Sequence, residues 1–319
     1  MNELILIDAL NGLKSLPNES IDCIITSPPY YQLRDYGSNL QIGLEPSYKQ
    51  YIENLTAIFN EAKRVLTGSG TLFIVIGDTY SGSAVGNKNS NDGINVRFSD
   101  YSFRTELNEL PRKSLMQIPS RLAIALQDDG WILRNEIIWH KPNAMPQSVK
   151  DRFTIDYEKV FFFVKERYYY FKQIKEQMVT KDLNPPFGLF NTPFDPLGGL
   201  RKQDAIGRSD YTNFNDRYTP PGDMMRNKRC VWSIPTKGIA ESHFATYPDE
   251  LVEIMIEAGC PKDGVILDPF VGSGTTAMVA KRLGYQYIGF DINEEYLKIA
   301  NKRLKKTPVL LRLDLETHQ

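Results

Sequence analysis

The sequence predicts an α/β protein: a doubly wound, mostly parallel sheet of seven strands, interrupted by one insert. Two observations carry that expectation. Short apolar runs alternate with helix-period segments toward both ends of the chain, and between them lies a stretch where the alternation vanishes. At 319 residues the chain is long enough for one sizeable core and a smaller appended unit.

In chain order, residues 3–8 and 22–27 read as buried strands flanking a helix near 9–16. Residues 48–66 place Tyr51, Leu55, Ile58, Phe59, Ala62, Val65 and Leu66 at helical spacing. The turn Gly68-Ser69-Gly70 is expected to end that helix before a strand at 71–77. Residues 81–114 are polar and aperiodic, the mark of a long surface loop. A helix at 117–129 follows, then strands at 131–141 and 157–166 whose short separation predicts an antiparallel pair at a sheet edge. After the insert, helices at 247–259, 275–284 and 294–306 alternate with strands at 265–270 and 287–292. Asp249 and Glu250 occupy the first turn of their helix, where the dipole favours negative charge.

Residues 173–235 stand apart. They hold seven of the 19 prolines, and their nine basic residues against seven acidic ones leave a local balance of +2. The chain therefore divides into 1–172, an insert at 173–235, and 236–319.

Composition excludes several classes. A net charge of −1 is unlike a protein that merely coats nucleic acid, so any nucleic-acid contact must use a local positive face. No apolar run approaches the roughly 18 residues that span a bilayer, and acidic residues stand where a signal peptide carries its positive charge. Cys23, Cys230 and Cys260 are far apart and form no C-x-x-C pair, which argues against a disulfide framework or a zinc site. The expectation is a cytoplasmic protein, without a membrane partner and without a metal.

Two motifs carry the chemistry. The first is Asp268-Pro269-Phe270-Val271-Gly272-Ser273-Gly274-Thr275-Thr276, a strand entering a glycine-rich turn that opens a helix. Its glycines let the backbone approach a ligand closely, and the helix start offers unpaired N–H groups. About twenty residues later a second strand ends at Asp291, whose carboxylate can accept hydrogen bonds from two ribose hydroxyls. No Gly-Lys-Ser/Thr follows the turn, so a nucleoside ligand without a phosphate tail fits better than a nucleoside triphosphate. The second motif is Thr26-Ser27-Pro28-Pro29-Tyr30, directly after a strand. Successive prolines fix φ and remove two donors, so the carbonyls of Ser27 and Pro28 are held as acceptors beside one aromatic ring. Those are the parts needed to grip a planar base bearing an amino group.

Together the motifs closely resemble the signatures of the amino-methylating DNA methyltransferases, Ser/Asp/Asn-Pro-Pro-Tyr/Phe and Phe-x-Gly-x-Gly. The catalytic motif precedes the cofactor motif, as in the permuted β group of that family, and the resemblance covers nearly the whole chain. It implies a Rossmann-like S-adenosylmethionine-dependent methyltransferase fold. It assigns Ser27, Pro28, Pro29 and Tyr30 to the reaction. Asp8, His243, Phe244, Thr246, Asp268, Phe270, Gly272, Gly274, Thr275 and Asp291 fall to S-adenosylmethionine, although Ile7 stands before Asp8 where the family often has glycine. Residues 173–235 fall where the group carries its target recognition domain. The implied partner is double-stranded DNA, with a base flipped from the duplex. A separate cognate restriction endonuclease and a monomer or homodimer are also implied. Serine in the first position goes mostly with cytosine N4 in the family, and aspartate or asparagine mostly with adenine N6. Cytosine is the first reading and adenine the alternative.

For DNA contacts the candidates are Arg226, Lys228, Arg229 and Arg208 in the insert, with Arg112 and Lys113 in the long loop. Lys141-Pro142-Asn143 could line a base pocket or form a plain turn, and Lys302, Arg303, Lys305 and Lys306 read as a solvated helix face. Two other functions compete. Relatives that methylate RNA or protein glutamine carry the cofactor motif first and usually lack the insert. A silent DNA-binding module would not need both motifs intact.

Overall fold

A computed structural model describes residues 2–34, 40–82, 110–177, 225–236 and 246–309 of the chain. Most of the predicted loop at 81–114 lies outside them, as does most of the predicted insert, and so do Arg208, His243 and Phe244. The chain divides into two compact units, Met1–Lys172 with Cys230–Gln319, and Gln173–Arg229.

Among the described residues the larger unit is an eight-stranded sheet with helices. Its strands are β1 (Asn2–Leu6), β2 (Ile21–Thr26), β3 (Leu66–Ile76), β4 (Ile132–His140), β5 (Tyr157–Val164), β8 (Val231–Ser233), β9 (Val265–Asp268) and β10 (Gln286–Asp291). They lie in the order β1-β10-β9-β2-β3-β5-β4-β8, parallel throughout except β5, which runs against both neighbours. The helices are α1 (Ala9–Ser15), α2 (Tyr48–Val65), α3 (Ile118–Asp128), α4 (Asp249–Gly259), α5 (Thr275–Arg282) and α6 (Glu294–Lys306). The mostly parallel α/β architecture is the one expected.

Two details depart from the sequence reading. Seven strands become eight because β8 pairs in parallel with β4, Trp139 opposite Trp232. Residues 230–235 thus belong to the larger unit, not to the insert. Trp232 and Ile234 are buried, and the Trp139 indole donates to the Ile234 carbonyl at 2.9 Å. The antiparallel β4–β5 pair consequently has β8, not β4, at the sheet edge. Gly68–Gly70 does not separate helix from strand either: β3 starts at Leu66, paired with Ile21, and a register irregularity between Ile21 and Cys23 absorbs the extra residues.

Helix starts follow capping chemistry. Ser47 accepts from the Gln50 N–H at the start of α2, and Asn293 accepts from those of Glu295 and Tyr296 at the start of α6. The predicted stripe of α2 is buried, from Tyr51 to Val65, with Ile24, Leu72, Ile74 and Phe163 of the sheet in the same core cluster. Each fully buried valine, leucine, isoleucine or phenylalanine among them contributes about 1.5–3 kcal/mol.

The sheet order places the site. From β9 the chain goes on to β10 on one side; from β2 it goes on to β3 on the other. The reversal lies between β2 and β9, and in open α/β sheets such a point is where ligands bind, beyond the carboxyl ends of the strands. Ser27 follows β2 and Asp268 ends β9.

The smaller unit, among the described residues, is an antiparallel pair, β6 (Lys175–Gln177) with β7 (Met225–Asn227).

Candidate active site

At the β2/β9 junction the two motifs, far apart in the chain, are tied directly together. The Thr26 hydroxyl donates to Asp268 Oδ1 at 2.7 Å, while Thr276 and Tyr247 donate to Oδ2 at 2.7 and 3.0 Å. The Phe270 N–H donates to Oδ1 at 3.0 Å. Burial raises the Asp268 pKa, and these donors work against it. Asp268 is wholly enclosed in this way and does not line the cavity above it.

That cavity has a volume of about 1030 Å³. Its walls include Asp8, Ser27, Pro28, Pro29 and Tyr30, together with Thr246, Phe270, Gly272, Thr275 and Asp291. The structure thus brings the predicted catalytic and cofactor residues into one space, apart from Asp268 and Gly274 beneath it and the two outside the described residues.

The glycine-rich turn is shaped by φ values few side chains adopt. Gly272 and Gly274 have φ of 52° and 83°, and a Cβ on Gly274 would lie 2.7 Å from that of Ala300. The Gly272 N–H donates to Asp291 Oδ2 at 2.8 Å, and the Asn293 N–H to Oδ1 at 2.8 Å. Burial raises the Asp291 pKa against these two donors. From α6, Arg303 reaches back to the Ser273 carbonyl at 2.7 Å, the Ser273 hydroxyl at 3.0 Å and the Thr275 hydroxyl at 3.2 Å. Arg303 is therefore a clamp on the turn, not part of a solvated face. Asp8 also has a structural duty, capping α1 by accepting from the Asn11 N–H at 3.0 Å.

The Pro-Pro turn is held from outside. The Tyr51 hydroxyl of α2 donates to the Pro29 carbonyl at 2.7 Å. Tyr30 donates its hydroxyl to Glu158 Oε2 at 2.7 Å and accepts a long contact from the Ser27 hydroxyl at 3.5 Å. Burial, then the Glu158 carboxylate, push the Tyr30 phenol well above its ordinary pKa. Gly77 makes room for the ring, because a Cβ there would stand 2.7 Å from Tyr30 Cε2. Lys141 forms an ion pair with Glu158 and lies over the Trp139 ring, 4.4 Å from its centroid. Lys141, Trp139 and Glu158 all line the cavity, so Lys141 belongs to the pocket wall.

The cationic candidates are less uniform. In the smaller unit, Arg226 and Lys228 share Glu176 at 2.9 and 3.7 Å, and Arg229 is exposed. Arg112 is exposed, and Lys113 pairs with Asp151 at 2.6 Å. Among the described residues no cluster of three or more histidine, cysteine or acidic side chains is arranged for a metal ion, and no helix is long and apolar enough to cross a membrane.

Sequence reasoning missed Glu158, Tyr51, Gly77 and Arg303. The legible signal for Glu158 is the charged pair Glu158-Lys159 at the head of a run that is apolar from Val160 to Val164. The other roles come from contacts made across the fold.

The sheet order and this cavity set the Pro-Pro-Tyr turn and the glycine-rich turn around one space. Residues 21–302 match the N6_N4_Mtase model, described as DNA methylase, and the chain belongs to that family of DNA methyltransferases. It is 42% identical over 301 residues to the Type II methyltransferase M.Cfr9I of Citrobacter freundii, covering 93% of this chain and 86% of that protein. Among solved structures it resembles the PvuII DNA methyltransferase (cytosine-N4-specific), with a TM-score of 0.60, 18% identity, and coverage of 94% and 85%. It also resembles a putative DNA modification methylase of Thermus thermophilus, TTHA0409, in complex with S-adenosyl-L-methionine. There the TM-score is 0.57, the identity 21% and the coverage 97% and 96%.

Proposed function

We propose that the chain transfers a methyl group from S-adenosyl-L-methionine to the exocyclic N4 of a cytosine flipped out of double-stranded DNA. The observation that carries this reading is the single cavity shared by Ser27, Pro28 and Tyr30 on one wall and Gly272 and Asp291 on the other. Its volume suits a nucleoside-bearing cofactor together with a base.

The residues fit that cofactor. Asp291 keeps its carboxylate at the cavity wall, ready for ribose hydroxyls, while the Gly272–Gly274 turn lets the backbone come close. Thr246, Phe270 and Thr275 add walls around it; His243 and Phe244 lie outside the described residues and are assigned to the cofactor by the family resemblance alone. When bound, S-adenosyl-L-methionine supplies an electrophilic methyl group on a sulfonium.

The protein's own task is to prepare the amino nitrogen. Its lone pair is delocalised into the base ring and makes it a poor nucleophile. Acceptors at Ser27 and at the Pro28 carbonyl engage its two hydrogens and favour a pyramidal nitrogen with an available lone pair. Tyr30 holds the ring by stacking, worth about 1–3 kcal/mol. Positioning of this kind can supply roughly 7–11 kcal/mol of the barrier. Serine at position 27 favours cytosine over adenine, as does the cytosine-N4 specificity in the name of the PvuII enzyme.

In this reading the segment 173–229, with Arg208, Arg226, Lys228 and Arg229, supplies target recognition, and Arg112 and Lys113 meet phosphates. In the same reading the chain is a cytoplasmic modification enzyme, monomer or homodimer, that protects sites from a separate endonuclease; the Type II methyltransferase names of its relatives support the modification role. The test is transfer from tritiated-methyl S-adenosylmethionine to unmethylated DNA, followed by digestion and nucleoside separation. Label in N4-methylcytosine is the expected result. Label in N6-methyladenine keeps the mechanism and reverses the base, and label in RNA or protein alone overturns the reading.

A further inference from the structure

Behind Tyr30 stands a polar cluster that neither motif contains. Trp139 of β4 and Glu158 of β5 are register partners in the sheet. On the other side of β5, Gly77 follows Ile76, itself the partner of Lys159. The register thus brings Trp139, Glu158 and Gly77 side by side across three strands. Gly77 leaves a gap that the Tyr30 ring enters, and Glu158 receives its hydroxyl at 2.7 Å. Lys141 neutralises the other carboxylate oxygen, and both partners of that ion pair are only 18% exposed.

A charge this enclosed is costly unless it is paired and hydrogen-bonded; Glu158 has Lys141 for the ion pair and the Tyr30 hydroxyl for the hydrogen bond. We propose that Glu158, held by Lys141, is a positioning residue that sets the Tyr30 ring for stacking on the flipped base. The hydroxyl hydrogen of Tyr30 is committed to Glu158, so what Tyr30 offers the substrate is its ring. The amino group is left to Ser27 and the Pro28 carbonyl. This inference rests on the base-flipping reading above.

The experiment measures tritiated methyl transfer to unmethylated genomic DNA as kcat and as KM for DNA. It compares the wild type with Tyr30→Phe, Glu158→Ala, Glu158→Gln and the Tyr30→Phe/Glu158→Ala double variant. Cofactor binding without DNA serves as the check on folding. Tyr30→Phe and Glu158→Ala should each lower kcat/KM for DNA about tenfold, the scale of one hydrogen bond to a charged group. The double variant should be no worse than either single one, because both remove the same contact. Glu158→Gln keeps an acceptor but loses the charge, and should fall between wild type and Glu158→Ala. Cofactor affinity should be unchanged in all of them. The proposal is overturned if the single effects multiply in the double variant, if Glu158→Gln is as impaired as Glu158→Ala, or if Glu158→Ala matches wild type. Should Glu158→Ala lose cofactor binding, Lys141→Met is read in its place: coupling to Tyr30→Phe supports the proposal and independent effects overturn it. Failure of the wild type to label DNA would instead sink the function proposed above.

Discussion

The hydroxyl of Tyr51, deep in α2, donates to the carbonyl of Pro29 at 2.7 Å. A core helix thereby fixes the turn that carries the proposed catalytic residues, and the Pro-Pro geometry does not rest on ring constraints alone. Tyr51→Phe leaves that carbonyl without its donor. Stability should fall by about 0.5–1.5 kcal/mol, with turnover lowered several-fold. Urea midpoints and single-turnover rates check both, and a fully active variant would mean the prolines suffice.

Ser27→Ala and Tyr30→Ala address the reacting side of the cavity. Each should reduce methyl transfer strongly while cofactor affinity survives. For Tyr30→Ala the loss of stacking, about 1–3 kcal/mol, corresponds to roughly 5- to 140-fold in DNA affinity. Equilibrium dialysis with labelled cofactor beside transfer assays separates the two; a parallel loss of cofactor binding would mean a general collapse of the pocket.

Asp291, the proposed ribose ligand, makes stability depend on pH. Burial raises its pKa from the ordinary aspartate value of 3.8, so the folded state holds the proton more tightly than the unfolded chain. The stability this contributes is fully present below that ordinary value and is lost as pH rises through the raised folded value. Asp291→Asn should flatten that decline, seen as urea midpoints that vary less as pH rises above the ordinary aspartate value of 3.8. The same change should weaken cofactor binding by roughly ten- to a hundredfold, the loss of charge-assisted hydrogen bonds. Unchanged affinity would remove Asp291 from the ribose.

Gly274→Ala tests the turn itself. A left-handed φ of 83° costs an alanine about 1–2 kcal/mol, and the new methyl meets Ala300. The thermal midpoint should drop and cofactor affinity should fall with it. A variant that binds cofactor normally would show that α6 can move aside without disturbing the turn.

Much of this was legible in the sequence because it depends on local pattern. The stripe from Tyr51 to Val65 identifies α2 and its buried face, and strand–glycine turn–helix spacing locates Gly272, Gly274 and Asp291. What stayed hidden depends on partners distant in the chain. Asp268 has the look of a ligand residue, yet Thr26, Thr276 and Tyr247 occupy it. Arg303 sits among lysines on a charged helix and still turns inward to Ser273. Glu158 gains its neighbours only through strand register. β8 is three residues long, too short to show a period, and only the partnership with β4 makes it a strand.

The place of β2 in the sheet has a consequence for synthesis. It is almost wholly buried, and one of its two neighbours, β9, enters the chain about 240 residues after it. At roughly 5–20 residues per second a ribosome needs about 12–48 s to deliver that neighbour. Until then the nascent polypeptide carries an open apolar strand edge, the kind of surface that pairs with other chains. Newly made molecules depend on that interval being shielded, and slowing translation of the stretch between β2 and β9 lengthens the exposure.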